Sequence, residues 1–437
     1  MKTTYLLLLN FSLAVTFRSA QAGDNDGPVR PGRLSLDEVT VAAATNNPAI
    51  KAAREKWQGM KARISQAAAW EDLRAEGMSR VQRYVSVPAN AFADQTFLLQ
   101  QEIPISGKNR SHARAATAEA GAAFEDFRRT ELDVLSRART AFHRLTNEYA
   151  QLDVNQRNVD LLNQFAEISR RRYEVGNASQ ADVLTAQTDA AKLLEARSDI
   201  LRRISDAESA LNVLMNRPAQ SPLGEPFPLA FQAPQFSLRN LQAVALGARP
   251  ELQRAQNRVE AEKFRVELAN RGWFADPTLN VQAQRYNEAG QAVSELDVGV
   301  SIGLPWSNPK KYSAAVTEAR RNFESAQHDL EAARTETLGL VRDQLKKIET
   351  AAHHYELYRD KIVPLARQTV QSNRSAYEAS SANFLELISA ERVLQDVESM
   401  HLNHLADYQI AVAELDAIVG VGDAEMENAR PLRKKGK

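Results

Sequence analysis

Cysteine is absent from all 437 residues. Disulfide staples, thiolate metal ligands and a lipidated N-terminal cysteine are therefore not expected, and stability must come from packing and assembly. A dominant charge is also missing. Acidic and basic residues balance at 55 each, which leaves no field for nucleic acid, and the basic tail Arg433-Lys434-Lys435-Gly436-Lys437 reads as a short flexible end. Beyond the first 22 residues no apolar run reaches the 18 or so that a membrane helix needs. Any membrane span must then be made of strands. Gly-rich phosphate loops, nucleophile elbows and zinc-protease helices are missing too, so neither catalysis nor a cofactor is expected.

What is present begins with a leader. Met1-Lys2, an apolar stretch over 5–17 and the small-residue site Ala20-Gln21-Ala22 read as a signal peptide over 1–22, followed by a flexible Gly/Pro/Asp-rich segment over 23–33. Export from the cytoplasm follows. The rest reads as one pattern written twice, about 200 residues apart. Asn47-Pro48 answers Arg249-Pro250, and Gln101-Glu102-Ile103-Pro104 answers Ile302-Gly303-Leu304-Pro305. The stretch from Tyr173-Glu174-Val175-Gly176 to Asp182-Val183-Leu184 pairs with that from Tyr377-Glu378-Ala379-Ser380 to Glu386-Leu387-Ile388. The expected division is a first repeat over 34–216, a connection over 217–235 with five prolines, a second repeat over 236–420 and a tail over 421–437.

Each repeat holds a helix too long for a globule. Residues 109–174 contain no proline and one glycine, a rod of roughly 100 Å at 1.5 Å per residue. Leu145, Leu152, Val159, Ala166 and Tyr173 recur at the seven-residue spacing of a coiled-coil seam, as do Val341, Ile348, Tyr355 and Ile362 in the second rod. Pro364 predicts a kink or loosened turn there. Shorter helices are expected over 34–69, 182–216, 238–270 and 384–419.

Four strands are expected, over 73–84, 96–103, 279–284 and 296–304. In the last, Leu296, Val298, Val300, Ile302 and Leu304 place an apolar residue at every second position. That is the pattern of a lipid-facing barrel strand. Four strands cannot close a barrel and an open edge is not tolerated in lipid, so several chains must share one. Trp70, Trp273 and Trp306 lie near strand ends, where either an interfacial belt or ordinary junction packing would hold them. The fold class is mainly α with a small β part.

These residues resemble the TolC family of outer-membrane efflux channels over nearly the whole chain. The carriers are Gln101-Glu102-Ile103-Pro104-Ile105-Ser106-Gly107-Lys108, the two Tyr-Glu turns and Ile362-Val363-Pro364-Leu365-Ala366. Within the family they are most similar to the outer-membrane components of cobalt-zinc-cadmium and copper-silver resistance-nodulation-division systems. The resemblance implies a homotrimer with a twelve-stranded barrel in the outer membrane and a helical coiled-coil tunnel in the periplasm. It also implies a periplasmic membrane-fusion adaptor and an inner-membrane pump as partners.

It further implies that the turns between each rod and its return helix form a constriction and meet the adaptor. These are Val175, Gly176, Asn177, Ala178 and Ser179, and Ala379, Ser380, Ser381, Ala382 and Asn383. Asp182 and Glu386, just past the turns, would ring the throat with carboxylates; as first-turn acids they equally suit helix capping. Thr185 and Ser389 stand where some members carry a second acid. His401 and His404, at i and i+3, and the adjacent His353-His354 invite a metal reading, but both former residues fall in seven-residue seam series, and no metal site is assigned. Metal cations are the leading cargo; drugs, other small toxicants or a polypeptide, or a soluble periplasmic scaffold or adaptor, are the alternatives.

Overall fold

The computed structural model describes residues 32–80, 94–228, 230–233, 235–288, 291–379 and 381–421. The leader, nearly all of 23–33, the tail beyond 421, Ser380 and the outer end of the first expected strand lie outside the described residues. The first half runs α1 (Leu36–Asn46), α2 (Pro48–Ala68), β1 (Arg74–Arg80), β2 (Asp94–Glu102), α3 (Lys108–Glu174) and α4 (Gln180–Leu214). The second runs α5 (Leu238–Ala248), α6 (Pro250–Arg271), β3 (Pro277–Glu288), β4 (Gln291–Ile302), α7 (Pro309–Leu357), α8 (Val363–Glu378) and α9 (Phe384–Val419).

The single helices expected over 34–69 and 238–270 are each two helices. Pro48 and Pro250 open α2 and α6, where a missing N–H costs nothing, and the residues before them, Asn47 and Arg249, are held extended at ψ 125° and 124°. Each break is tied to the end of a return helix. The Asn47 amide donates to the Leu214 carbonyl at 2.9 Å, and the Arg249 guanidinium donates to that of Ile418 at 3.3 Å. The return helices then close with left-handed residues, Asn216 (φ 56°) and Gly420 (φ 85°). At Gly420 a Cβ would come within 2.5 Å of the Arg249 Cα, so only glycine fits.

Two of the buried clusters are counterparts. Val39 and Ala43 of α1 join Val134, Ala138, Phe142 and Leu145 of α3 and Ile200 and Ile204 of α4 in one cluster. Leu241 and Ala245 of α5 pack on Val341, Leu345 and Ile348 of α7 and on Ala411 and Leu415 of α9. A third cluster joins the repeats, with Leu162 and Phe165 of α3, Ala186 and Ala190 of α4, Val370 and Tyr377 of α8, and Leu387, Ile388 and Leu394 of α9. Burying each such aliphatic side chain contributes about 1.5–3 kcal/mol.

The rods differ. α3 is continuous for 67 residues. The second rod is interrupted by a π-helical turn, Tyr358–Ile362, just before Pro364, whose ring cannot sit against the carbonyl four residues back in a regular helix. The loosened turn falls where Pro364 predicts it. Its consequence is a shift in register. Val341, Ile348 and Tyr355 are buried at seven-residue spacing, but the next buried series is Val363, Val370 and Tyr377, eight residues on from Tyr355. Ile362, expected on the seam, is only partly buried. In α3 Leu145 and Val159 are buried, Leu152 and Ala166 partly so, and Tyr173, also expected on the seam, is 48% exposed.

The strands form one antiparallel sheet in the order β1-β2-β3-β4. Its register sorts the side chains by face. Val298 lies opposite Val281, which lies opposite Leu99, which lies opposite Ala75; Leu296, Ala283, Phe97 and Gly77 make a parallel row. The rows between are mostly polar, Asp297, Gln282, Leu98 and Glu76 in one and Glu295, Gln284, Thr96 and Met78 in the next, and the Gln284 amide donates to Glu295 at 2.8 Å. Leu304 lies past the last paired residue of β4. Where sheet meets rods, Asp276 accepts from the Ser106 N–H (2.7 Å) and hydroxyl (2.7 Å) and from Lys108 (2.9 Å), while Arg271 donates to the Ser106 carbonyl at 2.8 Å. One corner thus locks both repeats. Among the described residues no helix is long and apolar enough to cross a membrane.

Candidate pore constriction

Both rod-to-return turns are built by helix-end chemistry. In the first, Gly176 takes φ 79°, which a residue with a Cβ resists, and the terminal carbonyls are satisfied by Asn177 N–H to Arg172 (2.8 Å) and Gly176 N–H to Tyr173 (2.9 Å). In the second, Ser381 N–H reaches the Ala376 carbonyl at 2.9 Å, the counterpart of the Asn177 bond. Ser380, which stands opposite Gly176 in the repeat, lies outside the described residues.

Ser179 and Asn383 then cap the return helices. Ser179 Oγ accepts from Asp182 N–H at 3.2 Å and donates to its carboxylate at 2.8 Å. Asn383 Oδ1 accepts from Glu386 N–H at 2.9 Å, and its amide donates to the Glu386 carboxylate at 3.2 Å. Both acids therefore serve caps, and each sits in the first turn where the helix dipole favours negative charge. Val175 is exposed, while Ala178 and Ala382 are partly buried.

The turns are not equivalent behind their caps. Tyr377 is 3% exposed; its hydroxyl lies 3.1 Å from Ser169 Oγ, its ring centre 5.4 Å from that of Phe384, and the Arg172 guanidinium carbon 4.3 Å from its ring centre. Burial raises its phenol, and the Asp182 carboxylate adds to the rise. One tyrosine of the second repeat thus gathers Ser169, Arg172 and Asp182 of the first. Farther from the turns, Asp189 of α4 accepts from Arg392 of α9 at 2.7 Å and pairs with Lys192, and Arg367 of α8 pairs with Glu398 of α9 at 2.6 Å. In the same cluster Glu391 is 0% exposed and neither carboxyl oxygen has a well-formed hydrogen bond. Burial pushes its carboxyl up to about 7, with Gln395 opposing and Glu398 adding. Sequence reasoning passed over it, yet an acid between Leu387 and Leu394, on the buried face of the helix, was a visible signal.

The histidines separate. His401 stacks on Tyr355 at 4.8 Å between ring centres, whereas His404 faces His354 of α7 at 5.1 Å and Tyr358 at 4.8 Å. The i, i+3 pair noted in the sequence therefore does not share a ligand. Among the described residues no group of three or more His, Cys, Asp or Glu side chains could hold a metal ion.

The described residues form two long helical hairpins that carry one four-stranded sheet. The chain belongs to the outer membrane efflux protein family, which matches it twice, over residues 39–217 and 241–421. It is 23% identical to the cobalt-zinc-cadmium resistance protein CzcC of Cupriavidus metallidurans, over 95% of this chain and 99% of that protein. It is also 23% identical to the toluene efflux pump outer membrane protein TtgF of Pseudomonas putida, over 72% of this chain and 67% of that one. Among solved structures it is similar to CusC (TM-score 0.77, 15% identical, covering 91% of this chain and 95% of that one) and to the outer-membrane channel OprN (TM-score 0.75, 14%, 96% and 100%). These likenesses establish the fold. The chain is a non-enzymatic outer-membrane efflux channel whose helical part stands in the periplasm.

Proposed function

We propose that three copies of this chain form the exit duct of a tripartite pump for heavy-metal cations. The observation that carries the assembly is the sheet: among the described residues β1 and β4 each leave an unpaired edge, which lipid does not tolerate. Pairing β4 of one copy with β1 of the next closes twelve strands, with the rows of Leu296, Val298, Val300 and Ile302 toward lipid. Residues 34–216 and 236–420 then serve as paired wall segments and 217–235 as an outer belt. Phe231 of that belt packs on Tyr355 and Tyr408, with ring centres 4.5 and 4.9 Å away.

In this reading the turns 175–179 and 379–383 gather at the tunnel's far end. There they meet the adaptor of a resistance-nodulation-division pump, and Asp182 and Glu386 line the throat. The metal cargo is favoured by a metal-resistance relative that aligns over 95% of this chain and 99% of its own, against a toluene-pump relative that aligns over about two thirds of its own. The test is growth of a deletion strain, with and without complementation, on zinc, cobalt, cadmium, nickel, copper, silver and a panel of organic toxicants. Complemented sensitivity to metals alone supports the reading. Sensitivity to organics alone moves the duct to solvent or drug export.

A further inference from the structure

α1 and α5 and the belt cover one face of the layer formed by α3, α4, α7 and α9. On this layer lies a groove of about 1720 Å³ bordered by all four long helices. Its border includes Arg144, Glu148, Lys347 and Glu414, and the last two pair at 2.6 Å. His354, His404 and Asp407 also border it.

We propose that His354 and His404 form a labile binding site for a late first-row divalent cation, such as zinc(II) or cobalt(II), on the tunnel wall. The orientation rests on the trimer proposed above. The spacing of the two rings leaves room for a shared ion. With metal–nitrogen bonds of about 2.0–2.1 Å in a tetrahedral site, two imidazoles place their ring centres roughly 5 Å apart, and here they are 5.1 Å apart on neighbouring helices. Tyr358, the first residue of the π turn, packs edge-on against His404 and holds its ring, and such distortions recur at functional sites. Asp407 supplies negative field rather than a third bond, and water completes the shell. Two protein ligands suit a conduit, in which an ion must enter readily and leave readily.

The site belongs to the second repeat alone. In the return helix of the first, Ile200 and Arg203 stand where His404 and Asp407 stand in α9, counted from the matching capped starts of the two helices. A cation passing along the wall would thus meet three such pairs, one per chain.

The test uses the untagged full-length channel purified in detergent. Zinc(II) is titrated against a chromophoric chelator, and cobalt(II) is followed by its visible absorption, which reports nitrogen ligation directly. One ion per chain is expected, weakened about tenfold or more in His354→Gln and in His404→Gln, with His353→Gln and His401→Gln like the wild type. Equal binding in all five proteins, loss only in the latter two variants, or no binding by the wild type would overturn the site. The growth panel reads the cargo separately. Metal resistance without binding removes the pair and leaves the duct assignment, whereas binding without metal resistance keeps the pair and removes only the metal cargo.

Discussion

The two rods have the same job of length and different internal order. α3 runs unbroken, and its polar contacts to the second repeat are made in pairs, such as the buried Arg139–Asp416 bridge at 2.7 Å and the Gln151 amide on the Ser399 carbonyl at 3.0 Å. The second rod and its return helix carry the π turn, the orphaned Glu391, the facing histidines and the enclosed Tyr377. The lesson is that each rod departs from regularity in its own way: α3 keeps its helix but buries unmatched side-chain atoms of His143, Asn147 and Asn155, whereas the second rod breaks its helix at the π turn.

The largest contrast lies in the paired tyrosines. Tyr377→Ala should destabilise the channel by about 3–5 kcal/mol, as loss of a buried aromatic does, and raise conductance in planar bilayers. Tyr173→Ala, at the matching but exposed position, should cost under about 1 kcal/mol and leave conductance unchanged. Equal effects on thermal unfolding would erase the asymmetry.

Glu391 comes next, through pH. Its folded pKa of about 7 lies above the unfolded carboxyl value, so the folded chain keeps a proton that the unfolded chain has lost. Its stabilising contribution is complete below about pH 4.5, falls as pH rises and is gone by about pH 7, a change of about 3 kcal/mol. Glu391→Gln should flatten that slope and raise the unfolding midpoint at pH 8. An unchanged profile would show that the carboxyl is solvated or paired.

The caps should behave alike in both repeats. Ser179→Ala and Asn383→Ala are each expected to cost about 1 kcal/mol. If Asp182 and Glu386 also line the throat, freeing them from their caps will change cation selectivity as well, read as a shift in reversal potential across a salt gradient. The smallest effect on stability is expected from Asp360→Ala, an essentially unchanged unfolding midpoint, because only an exposed ion pair with Arg359 is lost and the π turn set by Pro364 stays in place.

Much of this was readable in the chain. Helix-former composition without proline gave α3, alternation gave β4, and repeat spacing located both turns. Four things were not readable. Asn47 and Arg249 each precede a proline that begins a helix, a signal easily mistaken for tolerance within one helix. The step from Tyr355 to Val363 breaks a series that seven-residue counting carries on to Ile362. The facing of His354 and His404 depends on the axial stagger of two helices, which neither helix's own periodicity specifies. Tyr173 and Tyr377 look identical in sequence, and only the packing of Phe384 and Ser169 separates them.

The unpaired edges of the sheet also carry a genetic consequence. In the proposed trimer no strand pair at a subunit boundary exists until the neighbour arrives, so a chain that folds its helices but cannot present β1 or β4 spoils every ring it enters. With normal and defective chains expressed equally and mixing at random, roughly seven rings in eight contain at least one defective member. Edge-strand alleles should therefore be dominant over the wild type, whereas alleles that prevent folding should be recessive.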